Sequence, residues 1–410
     1  MLLLWVMFGS YILDIKAGAG ASSPLEITIE AKLKQLNKPY LKTIKSEDGD
    51  IIDCVDVYKQ PAFDHPALQN HKIQMIPDFL QESHNASAKD VFQIWQRSES
   101  CPEGTIPIRR IMKEDLLRIA SSNRFGMKPP AIFKNSTKTT NAYNLHFPNL
   151  NVTNGVVPED RSAAYLEAMG QNFMGAEADI NVWNPNIDLP DDFTTAQIWL
   201  KARNGIDFES VEAGWVVNPK LYGDKATRLF AYWTTDSYQS TGCFDLTCSG
   251  FVQTGTEVAL GAALKPVSSD SGNQYDYNVG MYLDYAGNWW LRVRNNKPVG
   301  YWPAELFSSL TSSAIVVEWG GQVFSSNLKK TTPHTRTAMG SGNFPDGQFG
   351  HSCFMRNLRI KDNSLALKYP QNVNASAEEP NCYKALNVMK NGAEPVFYFG
   401  GPGQRPPNCP

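Results

Sequence analysis

The 410-residue chain has a net charge of −3 from 38 basic and 41 acidic residues, too balanced to favour nucleic acid or an anionic membrane surface. Its length can bury a large core with a smaller appended unit. Aromatic residues at 11%, with 30 glycines and 26 prolines, favour strands and turns over helices.

Residues 1–21 read as a secretory signal, with an apolar run from Leu2 to Leu13 followed by the small residues Ala17-Gly18-Ala19-Gly20-Ala21. No second apolar run reaches spanning length, so the mature chain is expected to be soluble and exported. Residues 22–128 read as a small mixed α+β domain. An amphipathic helix is expected over 25–37, a hairpin over Thr43–Tyr58 around Glu47-Asp48-Gly49-Asp50, a strand over Cys101–Arg110 and a short helix over Lys113–Ser121. Residues 129–160 are rich in Asn, Thr, Pro and Lys and show no sustained period, as in an exposed linker.

Residues 161–410 are a succession of strand patterns, which predicts two stacked antiparallel sheets, an all-β sandwich. Expected strands are Gly175–Trp183, Thr195–Leu200, Val211–Val217, Arg228–Thr234, Gly250–Thr254 and Val258–Leu264. Tyr275–Asp284, Asn288–Arg294, Val299–Pro303, Ala314–Val323, Ser352–Lys361 and Val396–Gly400 follow. Two of these organise the rest. In the first, Val211, Ala213, Trp215 and Val217 share one face, while Ser210, Glu212 and Gly214 share the other. In the second, Val317, Trp319 and Val323 oppose Glu318, Gly320 and Gln322. Strands backed by apolar residues that present acid, amide and glycine outward suggest the floor of a cleft. Pattern alone favours the plainer reading, in which Glu212 and Glu318 are solvent-side residues of a half-buried sheet.

Seven cysteines in an exported chain favour disulfides, read by proximity as Cys54–Cys101, Cys243–Cys248 and Cys382–Cys409, with Cys353 left free. Sequons stand at Asn85, Asn135, Asn151 and Asn374. The six histidines have no partners at metal-ligand spacing, so no metal or other cofactor is expected, and no serine-nucleophile elbow occurs. Carboxylate chemistry is left: a glycosidase using two acids, or a peptidase in which a carboxylate activates water.

A set of motifs resembles the plant neprosin family. Cys54–Pro66 and Gly104–Arg110 resemble its activation segment. Ile180–Pro185, Gln197–Trp199, Val211–Trp215, Tyr232–Thr234, Thr241–Cys243, Gly250–Gln253 and Asn288–Trp290 resemble the following domain. So do Gly300–Pro303, Val317–Gly321, Met339–Gly342 and Gly400–Gly403.

The resemblance implies a secreted zymogen of the apoplast or cell wall. Its β-sandwich would be an acid-active glutamic endopeptidase cutting peptide or protein substrates, proline-rich ones among them, beside proline. The family uses two glutamates. The first matches Glu212. The second, closing the Trp-Gly-Gly-Glu motif, is Gln322 in this chain. Glu318 stands four residues earlier, about 13 Å away along a strand. Another glutamic peptidase family, the fungal eqolisins, is similar in using a Glu/Gln pair, so Glu212 would act as base and Gln322 as a neutral donor. Ser210, Gly214, Glu318 and Gly320 would line the substrate cleft. Two other readings stay open. One is a silent homologue that binds proline-rich wall proteins or glycans, with Trp289-Trp290 stacking on rings. The other is a glycosidase using Glu212 and Glu318.

Overall fold

The structure, a computed structural model, describes residues 24–78, 91–119, 124–132, 158–203, 207–294, 296–329 and 331–410. The expected signal segment, most of the expected linker, and Asn85, Asn135 and Asn151 lie outside these residues. Among the described residues no helix is long and apolar enough to cross a membrane.

The first unit opens with helix α1 (Pro24–Leu36), followed by a hairpin of β1 (Tyr40–Lys45) and β2 (Ile51–Asp56). It reverses at the expected turn, where Gly49 takes φ +94°, a conformation costly for any residue with a Cβ. A two-residue strand β3 (Phe92–Gln93), then β4 (Thr105–Arg109) and α2 (Lys113–Leu117) follow, and β4 pairs with β2 to complete a three-stranded antiparallel sheet. The Cys54–Cys101 disulfide closes this unit. Gln60–His71 forms short 3-10 turns set by its prolines.

The second unit begins with β5 (Arg161–Phe173) and β6 (Gly175–Asn181), then β7 (Phe193–Lys201), β8 (Ser210–Val217), a one-turn helix α3 (Pro219–Tyr222) and β9 (Arg228–Thr234). The short pieces β10 (Cys243–Phe244), β11 (Val252–Gln253) and β12 (Leu264–Lys265) precede β13 (Asp276–Leu283), β14 (Trp289–Val293), β15 (Lys297–Trp302) and β16 (Ala314–Phe324). The chain ends through β17 (Cys353–Lys361), β18 (Leu367–Lys368), β19 (Val373–Ala377), β20 (Lys384–Val388) and β21 (Val396–Gly400).

Seven strands make one sheet in the order β10-β9-β8-β7-β16-β5-β19. Nine make the other, in the order β11-β15-β14-β13-β6-β17-β21-β20 with β18 beside β17. Every pairing is antiparallel, and the inner faces enclose one apolar core containing Leu166, Ile198, Leu200, Val211, Ala213, Val217, Val279 and Met355. The expected β-sandwich, preceded by a small mixed unit, is what the chain forms. Trp215 on β8 and Trp319 on β16 span the sandwich, their indole N–H groups donating to the Asn181 and Glu177 carbonyls of β6 at 2.9 and 3.2 Å. These bonds fix the rotation of β8 and β16, and with it the direction of every outward side chain.

Some elements differ from the pattern reading. Val258–Leu264 does not form one strand, because Gly261 takes φ +80° and turns the chain before β12 begins at Leu264. Arg161–Phe173, not expected as a strand, is the 13-residue β5, flanked on both sides by β16 and β19. Trp289 and Trp290 are fully buried, their N–H groups donating to Leu310 O and Asp284 Oδ2 at 2.8 and 2.7 Å. Trp289 belongs to the sandwich core, whereas Trp290 lies on the other face of β14 and is covered, with Val252 and Tyr301, by Ala62, Phe63 and Ile73 of the first unit.

The two units pack against each other over a wide apolar surface. Ile29 of α1, Leu116 of α2, Ile111 and Phe125 join Phe193, Val216, Phe230, Tyr232 and Phe244 of the seven-stranded sheet in one cluster. Strand β3 pairs with β12. A buried Arg228 guanidinium bonds Asp50 of the first unit at 2.7 Å, and Gln60 and Gln253 exchange hydrogen bonds at 2.7 and 3.0 Å. The remaining disulfides are Cys243–Cys248 and Cys382–Cys409, and Cys353 is free and buried, as expected.

Candidate functional site

The open face of the seven-stranded sheet carries Glu212 of β8, Thr195, Gln197 and Trp199 of β7, and Glu318, Gly320 and Gln322 of β16. Strand register fixes their places. Glu212, Trp199, Glu318 and Glu167 form one row across β8, β7, β16 and β5. Gly214, Gln197 and Gly320 form the next, and Val216, Thr195 and Gln322 the one after. Glu212 and Gln322 therefore share a face, as expected, but are offset by two strands and four residues. Gln197 stands diagonally between them, each diagonal step covering about 7–8 Å.

Glu212 is wholly buried and fully bonded. Ser210 Oγ and Tyr238 Oη donate to its Oε1 at 2.8 and 2.5 Å, while Gln197 Nε2 and Lys128 Nζ donate to Oε2 at 2.6 and 2.5 Å. The Lys128 side chain has no solvent exposure either. It enters between the rings of Tyr232 and Tyr238, its Nζ 4.8 Å from each centroid, and Phe244 lies 5.9 Å away. Its own N–H donates to Tyr232 Oη at 3.0 Å, and Phe244 N–H donates to the Gly126 carbonyl at 2.7 Å. The segment around Lys128 is thereby stitched to β9 and β10. Arg161 at the head of β5 also bonds the Pro129 carbonyl.

Burial pushes the Glu212 carboxyl up, but the Lys128 ammonium and the bonds from Lys128, Tyr238 and Gln197 outweigh it and hold the group below the usual carboxylate range. Burial also pushes the Lys128 ammonium down, to about 8, with Glu212 opposing the fall. The pair is ionised at neutral pH. Two fully buried charges persist only because each is the other's partner.

The other expected cleft residues divide. Ser210 touches Glu212 directly. Gly214 and Gly320 are required by the sheet itself: a Cβ at Gly214 would lie 2.1 Å from Ala196 O, and one at Gly320 would lie 2.2 Å from Ala164 O. Their absence of side chains leaves Gln197 flanked by two bare positions. Glu318 is turned to other work, its carboxylate 2.6 Å from Lys201 Nζ, with the Trp199 position between it and Glu212. Burial, then the neighbouring Glu318 charge, raises the pKa of Glu167. Gln322 is buried, and its Oε1 has no partner among the described residues; the same holds for Gln197 Oε1 and Thr195 Oγ1. His334 lies close to Cys382 and Cys409, but those sulfurs are joined and offer no thiolate to a metal. Asn374 is exposed on edge strand β19.

Pattern reading missed Lys128, Tyr238 and Gln197. Gln197 carried a signal: Thr195, Gln197 and Trp199 alternate with Ala196, Ile198 and Leu200, which marks a polar outer face on β7.

Among solved structures, the chain is similar to scytalido-glutamic peptidase with a transition state analog inhibitor, at 9% identity over 58% of this chain and 98% of that one, with a TM-score of 0.33. It is also similar to SCP-B, a member of the Eqolisin family, in a complex with the tripeptide Ala-Ile-His, at 8% identity over 59% and 97%, with a TM-score of 0.32. The model of the Neprosin activation peptide matches residues 43–151, and that of the Neprosin domain matches residues 190–402. With more than half its length matched by the domain and the activation peptide ahead of it, the chain belongs to the Neprosin family.

Proposed function

We propose that this chain is the zymogen of a secreted, acid-active glutamic endopeptidase that cuts beside proline. Glu212 is its general base, and Gln322 stands in place of the second glutamate. The observation that carries the reading is the buried Lys128–Glu212 ion pair, in which a residue of the activation segment occupies the carboxylate that would take a proton from water. An activation peptide seated on a carboxylate, against tyrosines and buried amides, is the arrangement expected of a latent acid-base site. The preference for proline draws support from the occupant itself, since Lys128 is followed by Pro129-Pro130.

In the active enzyme, Glu212 takes a proton from water as the water oxygen attacks the scissile carbonyl. The amide nitrogen leaves with that proton when the carbon–nitrogen bond breaks. Gln322, which cannot ionise, lines the far end of the cleft as a neutral hydrogen-bonding group.

The test is incubation of acid-treated protein with a proline-rich peptide and, separately, with a β-glucan. Peptide cleavage that disappears in Glu212→Gln is the expected result. Cleavage of glucan would mean a glycosidase. An intact peptide would leave a peptide-binding homologue without activity.

A further inference from the structure

We infer that Gln197 is a catalytic residue, the amide that holds the developing oxyanion beside Glu212. The inference rests on the reading of Glu212 as general base and goes beyond the glutamate positions of the family. Gln197 has no solvent exposure, and its Nε2 lies 2.6 Å from Glu212 Oε2. One of the two Nε2 hydrogens is engaged there, which leaves the second for a substrate oxygen. Its Oε1 is buried with no partner among the described residues. Such groups are rare unless a ligand or water completes them.

The neighbourhood is shaped around this side chain. Gly214 and Gly320 are its direct neighbours across β8 and β16, so Gln197 stands alone in its row across the three strands. A Cβ at Gly214 would come within 2.6 Å of the Gln197 Cα and 2.9 Å of its Cβ. Gln322 lies one further diagonal step beyond. A substrate carbonyl attacked by water held on Glu212 therefore meets the Gln197 amide before that of Gln322.

Water gives one proton to Glu212 and its oxygen bonds the carbonyl carbon. The carbonyl π pair moves onto oxygen, where Gln197 Nε2–H donates to it, while Gln197 Oε1 accepts the second hydrogen of the water. Collapse re-forms the carbonyl and breaks the carbon–nitrogen bond, and the Glu212 proton passes to the departing nitrogen.

The test uses the full-length chain, acid-activated, with a proline-rich peptide. Gln197→Met keeps length and volume but removes both polar atoms. The expected result is a fall in kcat of about 100- to 1,000-fold with KM within about threefold. Gln197→Leu, with its melting temperature recorded beside that of the native chain, separates loss of fold from loss of chemistry. A residue that only positions Glu212 would move the acid limb of the pH profile, and its kcat would recover at higher pH. That outcome, or native kcat in both variants, overturns the assignment of Gln197 while leaving Glu212 in place. A native protein with no peptidase activity overturns the reading of Glu212 itself, and this inference with it.

Discussion

The Lys128 ammonium lies 2.5 Å from the Glu212 carboxylate, and neither side chain touches solvent. A charge so placed cannot lose its partner cheaply. Lys128→Met keeps the shape of the plug and leaves the carboxylate unpaired, at a cost of about 3–5 kcal/mol. The full-length variant is expected to melt below the native zymogen and, with the other contacts between the units in place, to stay silent until acid treatment. An unchanged melting temperature would mean that Lys128 does not hold the site.

Acid should separate the units. In the zymogen Glu212 titrates below its ordinary range and Lys128 near 8, so both are held with fewer protons than in the separated pieces. The stabilisation from Glu212 is complete above the ordinary glutamate value of about 4.5 and is lost as pH falls through its depressed value. For Lys128 the depressed value means that protons also oppose association, between about 8 and its ordinary 10.5. The two linkages have the same sign. With the linker cut, size-exclusion chromatography at a series of pH values should show the pieces together at pH 7 and apart below about pH 4. Association that strengthens on acidification would contradict this.

Gln322→Glu would restore the second glutamate of the family. A site with one titrating carboxylate gains activity with pH through the single ionisation of Glu212. Two carboxylates share a proton only at hydrogen-bonding range, and position 322 stands two diagonal steps from Glu212. The variant is expected to keep the single-ionisation profile of the native enzyme, read from kcat/KM against pH. An added alkaline limb would mean that the two side chains meet during catalysis.

Much of this site was legible as alternation. Glu212 and Gln322 declared themselves because charged or amide side chains interrupt apolar strands on every second residue. Lys128 did not, since one lysine between a glycine-methionine pair and two prolines looks like the entrance to a linker, and its burial comes from Tyr232 and Tyr238, about a hundred residues away. Strand β5 was hidden by its alanines, leucine, methionine and glutamate, which have modest strand preference. Neighbours on both edges, β16 and β19, hold it extended. Of the pair at 289–290, Trp289 misled in the other direction, because aromatic side chains read the same in a core as on a binding surface, while Trp290 faces the first unit.

Asp50 and Arg228 make a second test of the interface, remote from the chemistry. Asp50→Asn removes the charge that faces both Arg228 and Arg109 and leaves the buried Arg228 with Asp224 and the Gly261 carbonyl. A loss of roughly 3 kcal/mol is expected, the low end for a broken buried pair because one partner is retained. Denaturant unfolding of the full-length protein measures it. An effect below about 0.5 kcal/mol would place this pair among ordinary surface contacts.

The apolar cluster of Ile29, Leu116 and Phe125 with Phe193, Phe230 and Phe244, the β3–β12 pairing and the Asp50–Arg228 bond owe nothing to the peptide linkage between the units. Cutting the linker changes covalent connectivity and leaves all of them in place. Activation then becomes a matter of mass action. On the proposed function the severed piece would behave as a reversible inhibitor, and the active fraction would rise on dilution, fall when the piece is added back, and depend on how quickly the piece is degraded. Nicked protein stored concentrated should stay silent, and the same sample diluted a thousandfold should recover activity at the rate at which Lys128 leaves Glu212.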